Sequence, residues 1–298
     1  MMKTLDIKSN FLALDKKYST LEHSAIVVVP APFENSTSYG KGTANAPKAI
    51  LEASAQVEFY DNEMNKEICF EKGIATLAPL NMKKKRAETA LKELDKIVST
   101  LIDQKKFVVT LGGEHTISIA PIKAYHRKYP NMSLLHFDAH ADLRKEYQGS
   151  QFSHASAMAR VCDFFPPERM VQVGIRALSK DEADFIRSRG VKTHYATTIH
   201  RAPSTTNWQE NVVRHLGEQI YISFDVDYFD PAMMPATGTP EPDGFFWNET
   251  MNIFRAIRAA KKRIIGFDVV ELSPIPKMHH CDLTVARLVY KLINYTFA

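Results

Sequence analysis

The chain has 298 residues, of which 45% are hydrophobic and 24% are charged, as is ordinary for a globular protein. Its net charge is +4, but the basic clusters lack aromatic neighbours, which argues against nucleic-acid binding. The three cysteines form no CxxC motif, which favours a reducing compartment over a disulfide framework. No apolar run approaches the roughly 20 residues that span a bilayer, and the N-terminus lacks the apolar core of a signal peptide. We therefore expect a cytoplasmic protein without membrane or nucleic-acid partners.

Seven apolar, β-branched runs recur along the chain and predict strands that are buried on both faces, as in a parallel sheet. They lie at residues 25–29, 107–111, 133–137, 170–175, 191–195, 220–224 and 264–270. Between them, apolar spacing and capping residues predict helices at 87–104, 179–190 and 282–297. Alternation of strands and helices predicts an α/β fold with three αβα layers and a mostly parallel sheet. We expect one domain over 1–298, with 1–24 as an N-terminal extension packed on it.

Six acidic and histidine residues lie within five residues of the ends of three predicted strands: His115, Asp138, His140, Asp142, Asp225 and Asp227. On a strand, residues two apart point the same way, so the aspartates of each cluster can converge. Ligands of open α/β sheets bind beyond the carboxyl ends of the strands, which is where these residues lie. Four carboxylates with two imidazoles suit hard or borderline divalent cations and favour Mn²⁺ over Zn²⁺.

Each of these residues also has an ordinary structural interpretation, because an aspartate after a strand often caps a helix or orders a turn. The joint pattern favours a metal site, since two separate strand ends carry acidic residues at even spacing, Asp225 and Asp227 at one end, and Asp138 and Asp142 with His140 between them at the other. Two metal ions about 3.5–4 Å apart can share a bridging water and lower its pKa enough to supply hydroxide near neutral pH. The pattern therefore predicts an enzyme that attacks an electron-poor carbon.

The motifs around these residues resemble those of the ureohydrolases, the arginase and agmatinase family. They are Gly-Gly-Glu-His at 112–115, Phe-Asp-Ala-His-Ala-Asp at 137–142, Ser-Phe-Asp-Val-Asp at 223–227, Gly-Thr-Pro at 238–240 and Phe-Asp-Val-Val-Glu at 267–271. The resemblance extends from about residue 25 to residue 295. It implies one arginase-like α/β domain with two Mn²⁺ ions, which hydrolyses a guanidinium group to urea and an amine. It also implies a homo-oligomer, a trimer or a hexamer.

The resemblance assigns ligands to each of the two metal ions. His115, Asp138, Asp142 and Asp225 would hold one ion. Asp138, His140, Asp225 and Asp227 would hold the other, so that Asp138 and Asp225 bridge the two.

The resemblance also implies substrate-handling residues. His154 stands where the family has the histidine that protonates the leaving amine, although it could simply begin a helix. Glu271 would bind the guanidinium by two parallel hydrogen bonds, with Thr239 in support; the alternative for Glu271 is an ordinary exposed glutamate. Glu114 could orient a ligand, but we favour a helix start for it.

Three further histidines are less informative. His136 lies within a predicted strand and is more readily a core or second-layer histidine than a ligand. His279 and His280 fall in the proline-rich segment 273–280, where a metal role is not favoured, although the segment could shape the mouth of the pocket.

Segment 143–153 lacks the asparagine with which arginases bind the amino-acid end of arginine, whereas 152–154 and 235–244 are similar to agmatinases. Agmatine is therefore the leading substrate, with urea and putrescine as products in polyamine biosynthesis. Arg144 and Lys145 leave arginine or a guanidino acid open as substrates, and N1-aminopropylagmatine is a close alternative. Two different classes remain possible: a zinc deacetylase-like enzyme with a single metal ion, and an inactive metal-binding protein.

Overall fold

The computed structural model describes residues 2–202 and 206–298, which contain one eight-stranded sheet. All neighbouring strands pair in parallel, in the order β2-β1-β3-β8-β7-β4-β5-β6. The strands are β1 (Ile26–Ala31), β2 (Ile74–Thr76), β3 (Phe107–Gly112), β4 (Ser133–Phe137), β5 (Met170–Ile175), β6 (Lys192–Tyr195), β7 (Gln219–Asp225) and β8 (Arg263–Val270).

Helices connect these strands. The α-helices are α1 (Lys16–Ser19), α2 (Ala46–Ser54), α3 (Ile68–Lys72), α4 (Ala87–Asp103), α5 (Ile119–Lys128), α6 (Ala157–Val161), α7 (Lys180–Arg189), α8 (Ala196–Arg201), α9 (Trp208–Arg214), α10 (Trp247–Ala259) and α11 (His279–Phe297). Short 3-10 helices lie at Phe11–Ala13, Thr43–Asn45, His115–Ser118, His154–Ser156, Pro167–Arg169 and Val226–Tyr228. No helix in the described ranges is both long and apolar enough to cross a membrane.

Each face of the sheet has its own hydrophobic core, because successive strand residues point to opposite sides. In β1, Ile26 and Val28 pack in a core that includes residues of α2, α10 and α11. Val27 and Val29 pack in the other core, with residues of α4, α5 and α6. The predicted three-layer αβα fold with a parallel sheet is confirmed.

The seven predicted strands are present, with ends that differ by at most two residues. The prediction missed β2, whose three residues are too short to form a recognisable apolar run. The predicted caps of α7 are present: Ser179 and Glu182 form a capping box, and Gly190 ends the helix with a φ of 74°.

The last helix begins earlier than the sequence suggested. It starts at His279 instead of residue 282, so His279 and His280 form its first turn and do not belong to the preceding loop. Both side chains are exposed to solvent.

The segment before β1 contacts the β2 edge of the sheet. The backbone N–H of Leu5 bonds to the carbonyl of Thr76 at 2.8 Å, and that of Phe11 bonds to the Thr76 hydroxyl at 2.9 Å. Phe11, Leu12 and Leu14 are buried in the core beneath. Met1 lies outside the described residues.

The strand order brings the chemically active segments together. The strands β3, β8, β7 and β4 are consecutive neighbours at the centre of the sheet. Because all of them are parallel, their carboxyl ends meet along one edge. At this edge lie Asp225, the last residue of β7, and His115, Asp138 and Glu271, which follow β3, β4 and β8. These four residues are far apart in sequence.

Candidate metal centre and substrate cavity

His115 lies at the centre of a buried cluster of carboxylates. Its Nδ1 is 3.0 Å from Oδ2 of Asp138, 3.1 Å from Oδ2 of Asp142 and 3.2 Å from Oδ2 of Asp225. Its other nitrogen, Nε2, is 2.9 Å from the Ser223 hydroxyl, which itself donates to Asp268. Ser223 must therefore accept from Nε2–H, which leaves Nδ1 directed at the three carboxylates.

His140 forms a second cluster beside the first. Its Nδ1 is 2.9 Å from Oδ2 of Asp227 and 3.5 Å from Oδ1 of Asp138. Asp138 contributes to both clusters, each of which has at least three possible ligand atoms within 4.8 Å of one another. Asp225 adjoins the first cluster through Oδ2, while its Oδ1 accepts the backbone N–H of Asp227 at 2.8 Å. The six residues singled out in the sequence thus lie together around one shared carboxylate.

The buried charges of the first cluster favour the binding of a cation. Burial raises the pKa of Asp225 well above its usual value, and the neighbouring Asp227 and Asp138 raise it further. Burial alone would lower the pKa of His115, but the surrounding carboxylates raise it well above its usual value. Nδ1 of His115 is buried and has no hydrogen-bond partner among the described residues. A divalent cation fits this donor set, since it would satisfy both the free nitrogen and the crowded carboxylates.

Two residues of the site have an uncommon backbone conformation. Asp142 has a φ of 54° and Glu271 a φ of 66°, in the left-handed region that residues with a β-carbon rarely adopt. Such strain persists only where the surrounding structure enforces it, and it concentrates at functional sites.

Glu271 is buried directly behind the first cluster, which excludes the interpretation as an exposed glutamate. Its Oε1 accepts the backbone N–H of His115 at 2.6 Å and is 4.0 Å from Nδ1 of His154. Burial raises the pKa of Glu271 well above its usual value, and the nearby Glu114 carboxylate adds to the effect. Glu271 is therefore a carboxylate for which a cationic partner would be strongly favourable.

Two serines from the loop after β1 contact His154. Its backbone N–H donates to the Ser36 hydroxyl at 2.9 Å, and its Nε2 is 3.2 Å from the Ser38 hydroxyl. Burial lowers the pKa of His154 to about 4, helped by the nearby His140 and His115. His154 does begin a short helix, but it also faces the cavity described below.

Glu114 immediately precedes the short helix His115–Ser118, as predicted, but its side chain forms no capping hydrogen bond with that helix. Its side chain is fully buried, and it accepts the backbone N–H groups of Asn35 and Ser36 at 2.7 Å each and the Ser36 hydroxyl at 2.8 Å. Glu114 therefore anchors the loop that contacts His154. The sequence prediction for this residue was incomplete because the partner loop lies about 80 residues away.

A cavity of about 250 Å³ opens beside the two clusters. Its lining residues include His140, Asp142, His154 and Thr239 from the predicted set. It also contains side chains that the sequence did not indicate as lining: Ser38, Tyr147, Glu182 and Glu241.

Among the basic residues considered for substrate recognition, only Arg144 lines the cavity. Its guanidinium lies 5.2 Å above the Tyr147 ring, and its Nε is 3.7 Å from Oε2 of Glu182. Lys145 is exposed and does not line the cavity, and neither do His279 and His280. Thr239 lines the cavity, but within the described part of the chain it forms no hydrogen bond with Glu271.

Arg176, which the sequence did not single out, fixes two loops of the site. Its guanidinium donates to the backbone carbonyl of Asp227 at 2.7 Å and to that of Glu241 at 2.9 Å. A guanidinium with five donors is well suited to hold several carbonyls at once. No local sequence pattern indicated this role.

Several known proteins are similar to this chain over most of its length. The profile of the Arginase family matches residues 24–294. An N(1)-aminopropylagmatine ureohydrolase of Synechocystis is 36% identical over 278 residues, covering 91% of this chain and 89% of that protein. An agmatinase of Bacillus cereus is 32% identical over 273 residues, covering 90% of each chain. The crystal structure of the agmatine ureohydrolase of Thermoplasma volcanium superposes with a TM-score of 0.84 at 26% identity, covering 99% of this chain and 94% of that one.

Proposed function

Because this chain belongs to the arginase family, we propose that it is a ureohydrolase that cleaves a guanidino amine, with agmatine as the leading substrate, to urea and putrescine. The observation that carries the proposal is the position of Nδ1 of His115, unpartnered among the described residues and within 3.2 Å of three buried carboxylates. The buried Glu271 next to it supports recognition of a cation by the same site.

The proposed metal ligands are the six residues of the two clusters: His115, Asp138, His140, Asp142, Asp225 and Asp227. Four carboxylates and two imidazoles favour Mn²⁺, and the sharing of Asp138 between the clusters supports a pair of ions. Two such ions, when bound, would lower the pKa of a water molecule enough to supply hydroxide near neutral pH.

Glu271 is proposed to bind the guanidinium of the substrate. Its Oε1 already accepts one backbone N–H, which leaves further lone pairs on the two oxygens for the forked donors of a guanidinium. Because burial raises the pKa of Glu271, a bound cation would stabilise its ionised form. The residue thus orients the central carbon of the guanidinium towards the metal ligands.

His154 is proposed to relay a proton within the reaction. With a pKa of about 4 it is neutral at pH 7, so it must first accept the proton that it later delivers. Addition of hydroxide to the guanidinium carbon gives a neutral tetrahedral intermediate. His154 takes the hydroxyl proton of this intermediate and transfers it to the leaving nitrogen as the C–N bond breaks, which releases urea and the amine.

N1-aminopropylagmatine is a second candidate substrate, supported by the Synechocystis relative that is 36% identical. This substrate has one more ammonium group than agmatine. Glu182 and Glu241 line the cavity and could accept it, although Arg144 opposes a cation at the same surface. The equivalent products would be urea and spermidine.

The test is urea release by the Mn²⁺-loaded protein from agmatine, N1-aminopropylagmatine, arginine and 4-guanidinobutyrate, assayed in parallel. Urea from one of the two guanidino amines supports the proposal and identifies the substrate. Urea from arginine or 4-guanidinobutyrate alone would support the proposed reaction but show that the proposed substrate is wrong. Metal analysis of the same sample distinguishes the proposed site, with two Mn per chain, from that of a deacetylase-like enzyme, with a single Zn.

The biological setting is also a proposal. The three cysteines are free thiols, which agrees with a reducing, cytoplasmic environment. We further propose that residues 1–298 act as one catalytic domain and assemble as a trimer or hexamer. Light scattering coupled to size-exclusion chromatography would determine the number of chains in the assembly.

A further inference from the structure

His136 is a buried histidine next to the metal clusters that the proposed mechanism does not use. It lies in β4 with no solvent exposure, and its Nε2 is 2.9 Å from Oδ2 of Asp138. Its ligand atoms are close enough to those of His115, Asp138 and Asp142 to form a four-residue metal site. Geometry alone therefore allows His136 to be either a metal ligand or a hydrogen-bond donor to Asp138.

The neighbouring strand decides between these two roles. Gln172 of β5 stands directly opposite His136 in the sheet and is also fully buried. Its amide Nε2 is 2.9 Å from the carbonyl oxygen of Ala141 and 3.0 Å from Nδ1 of His136. Its Oε1 accepts the hydroxyl of Thr193, the residue opposite it in β6, at 3.1 Å.

The orientation of this amide follows from the chemistry of its partners. The carbonyl of Ala141 can only accept a hydrogen bond, so the Gln172 atom that faces it must be the nitrogen. The reversed amide would set two oxygens against each other and would leave both without a donor. The two N–H groups of Gln172 therefore point at Ala141 and at His136.

The tautomer of His136 is then fixed as well. Its Nδ1 accepts from Gln172, so the proton of the neutral ring is on Nε2, where it is donated to Asp138. A nitrogen that carries a proton has no lone pair for a metal ion. Each oxygen of Asp138 now accepts one hydrogen bond, from His136 at Oδ2 and from the backbone N–H of His140 at Oδ1. Each oxygen retains a second lone pair for a cation.

We propose that Gln172 is a positioning residue, which holds His136 as a donor to Asp138, keeps it out of the ligand set and thereby orients the carboxylate shared by both clusters. The inference rests on the proposed metal site. If it holds, the affinity for metal depends on the register of β4, β5 and β6, which sets Gln172 opposite both His136 and Thr193. Partners that orient ligands in this way typically contribute about 10–100-fold to metal affinity.

The first experiment reads the tautomer directly. The long-range ¹H–¹⁵N spectrum of protein with ¹⁵N-labelled histidine distinguishes protonated from unprotonated ring nitrogens, and His136→Asn assigns the signal. We expect the Nε2–H form both without metal and with diamagnetic Zn²⁺ bound. An Nδ1–H form, or an Nε2 shift typical of a metal-bound nitrogen, would overturn the proposal.

The second experiment measures Mn²⁺ affinity by competition with a chelator in two variants. Gln172→Met has a similar shape but no donor, and Gln172→Glu would accept from Nδ1 and reverse the tautomer. Both should bind Mn²⁺ about 10–100-fold more weakly than wild type. The exposed Gln56→Glu is the matched control and should bind as wild type does.

The two experiments separate failure of this inference from failure of the proposed function. If wild type releases urea and both Gln172 variants bind Mn²⁺ with unchanged affinity, the positioning role alone is overturned. If wild type binds no divalent cation and releases no urea, the proposed function is wrong and the inference is overturned with it. Weak Mn²⁺ binding by a Gln172 variant supports the inference only if the circular dichroism spectrum of that variant matches wild type. If the variant is misfolded, the tautomer of His136 in the wild-type protein tests the inference alone.

Discussion

The backbone N–H of His115 donates a 2.6 Å hydrogen bond to Oε1 of Glu271, 156 residues further along the chain. The bond joins the loop after β3 to the end of β8, the strand beside it in the sheet. It connects the proposed metal cluster to the residue proposed to bind the guanidinium. If Glu271 binds the guanidinium as proposed, this bond would set the position of the substrate relative to the metal cluster.

Replacement of Glu271 by Gln should separate substrate recognition from metal binding. The amide oxygen can still accept the His115 N–H, so the fold and the bound metal should be retained. Loss of the buried charge should lower kcat/KM by on the order of 10²–10³-fold, equivalent to about 3–4 kcal/mol. Steady-state kinetics with metal analysis checks this, and activity within threefold of wild type would remove Glu271 from the proposed site.

Replacement of Asp225 by Asn should abolish metal binding and urea release together, because its Oδ2 lies 3.2 Å from Nδ1 of His115 in the first cluster. The same substitution at the exposed Asp163 is the matched control and should change neither. Metal content after dialysis and urea release are the two readouts. Full activity of Asp225→Asn would contradict the two-metal site.

Replacement of His154 by Ala should leave metal binding intact and slow turnover. Its loss removes the proposed proton relay, and general acid–base groups typically contribute about 10²–10⁴-fold to the rate. Added imidazole should restore part of the activity. An unchanged kcat, or loss of the metal in this variant, would show that His154 has a different role.

Replacement of Glu241 by Gln should weaken the binding of substrates with a cationic tail. We expect KM to rise by about tenfold for N1-aminopropylagmatine and by less for agmatine, which has one ammonium fewer, since a charged hydrogen bond contributes about 1.5–3 kcal/mol. The exposed Glu146→Gln, which does not line the cavity, is the control. Equal KM values for wild type and Glu241→Gln with both substrates would exclude Glu241 from recognition of the tail.

Replacement of Glu63 by Gln should reduce stability near neutral pH but not in acid. Burial alone would raise the pKa of Glu63, but hydrogen bonds from Arg255, Lys291 and Tyr295 outweigh it and lower this pKa to about 2. A lowered folded-state pKa contributes stability above the ordinary glutamate value near 4.5, and this contribution is lost as the pH falls towards about 2.

After allowance for solvent screening, the effect of Glu63 is on the order of 1 kcal/mol, or about 2–4 °C in Tm. The difference in Tm between wild type and Glu63→Gln should therefore be largest above pH 5 and should shrink towards pH 2. The exposed Glu58→Gln should show no such trend. A difference that stays constant over this range would contradict the prediction.

Much of the fold could be predicted because its signals are local. Buried strands such as 133–137 consist of continuous apolar residues, and α7 carries its own capping residues at Ser179 and Gly190. The start of α11 was placed three residues late because its first turn, with His279 and His280, is exposed and has no apolar periodicity.

The candidate site was predicted only in part, for a similar reason. Asp138, His140 and Asp142 stand close together in sequence, and their spacing carries the metal signal by itself. The roles of Glu114, Gln172 and Arg176 depend on partners from other strands and loops, so no local pattern could indicate them.

The sequence by itself determined the αβα fold class, the residues proposed to carry the chemistry and the family that they resemble, because hydrophobic periodicity and motif spacing are properties of the chain. Only the tertiary structure decided that β3, β8, β7 and β4 are neighbours, that Glu271 is buried against His115, and that Gln172 faces His136. These relationships depend on strand order and register. Long-range packing of the whole sheet sets both, and no short stretch of sequence encodes either.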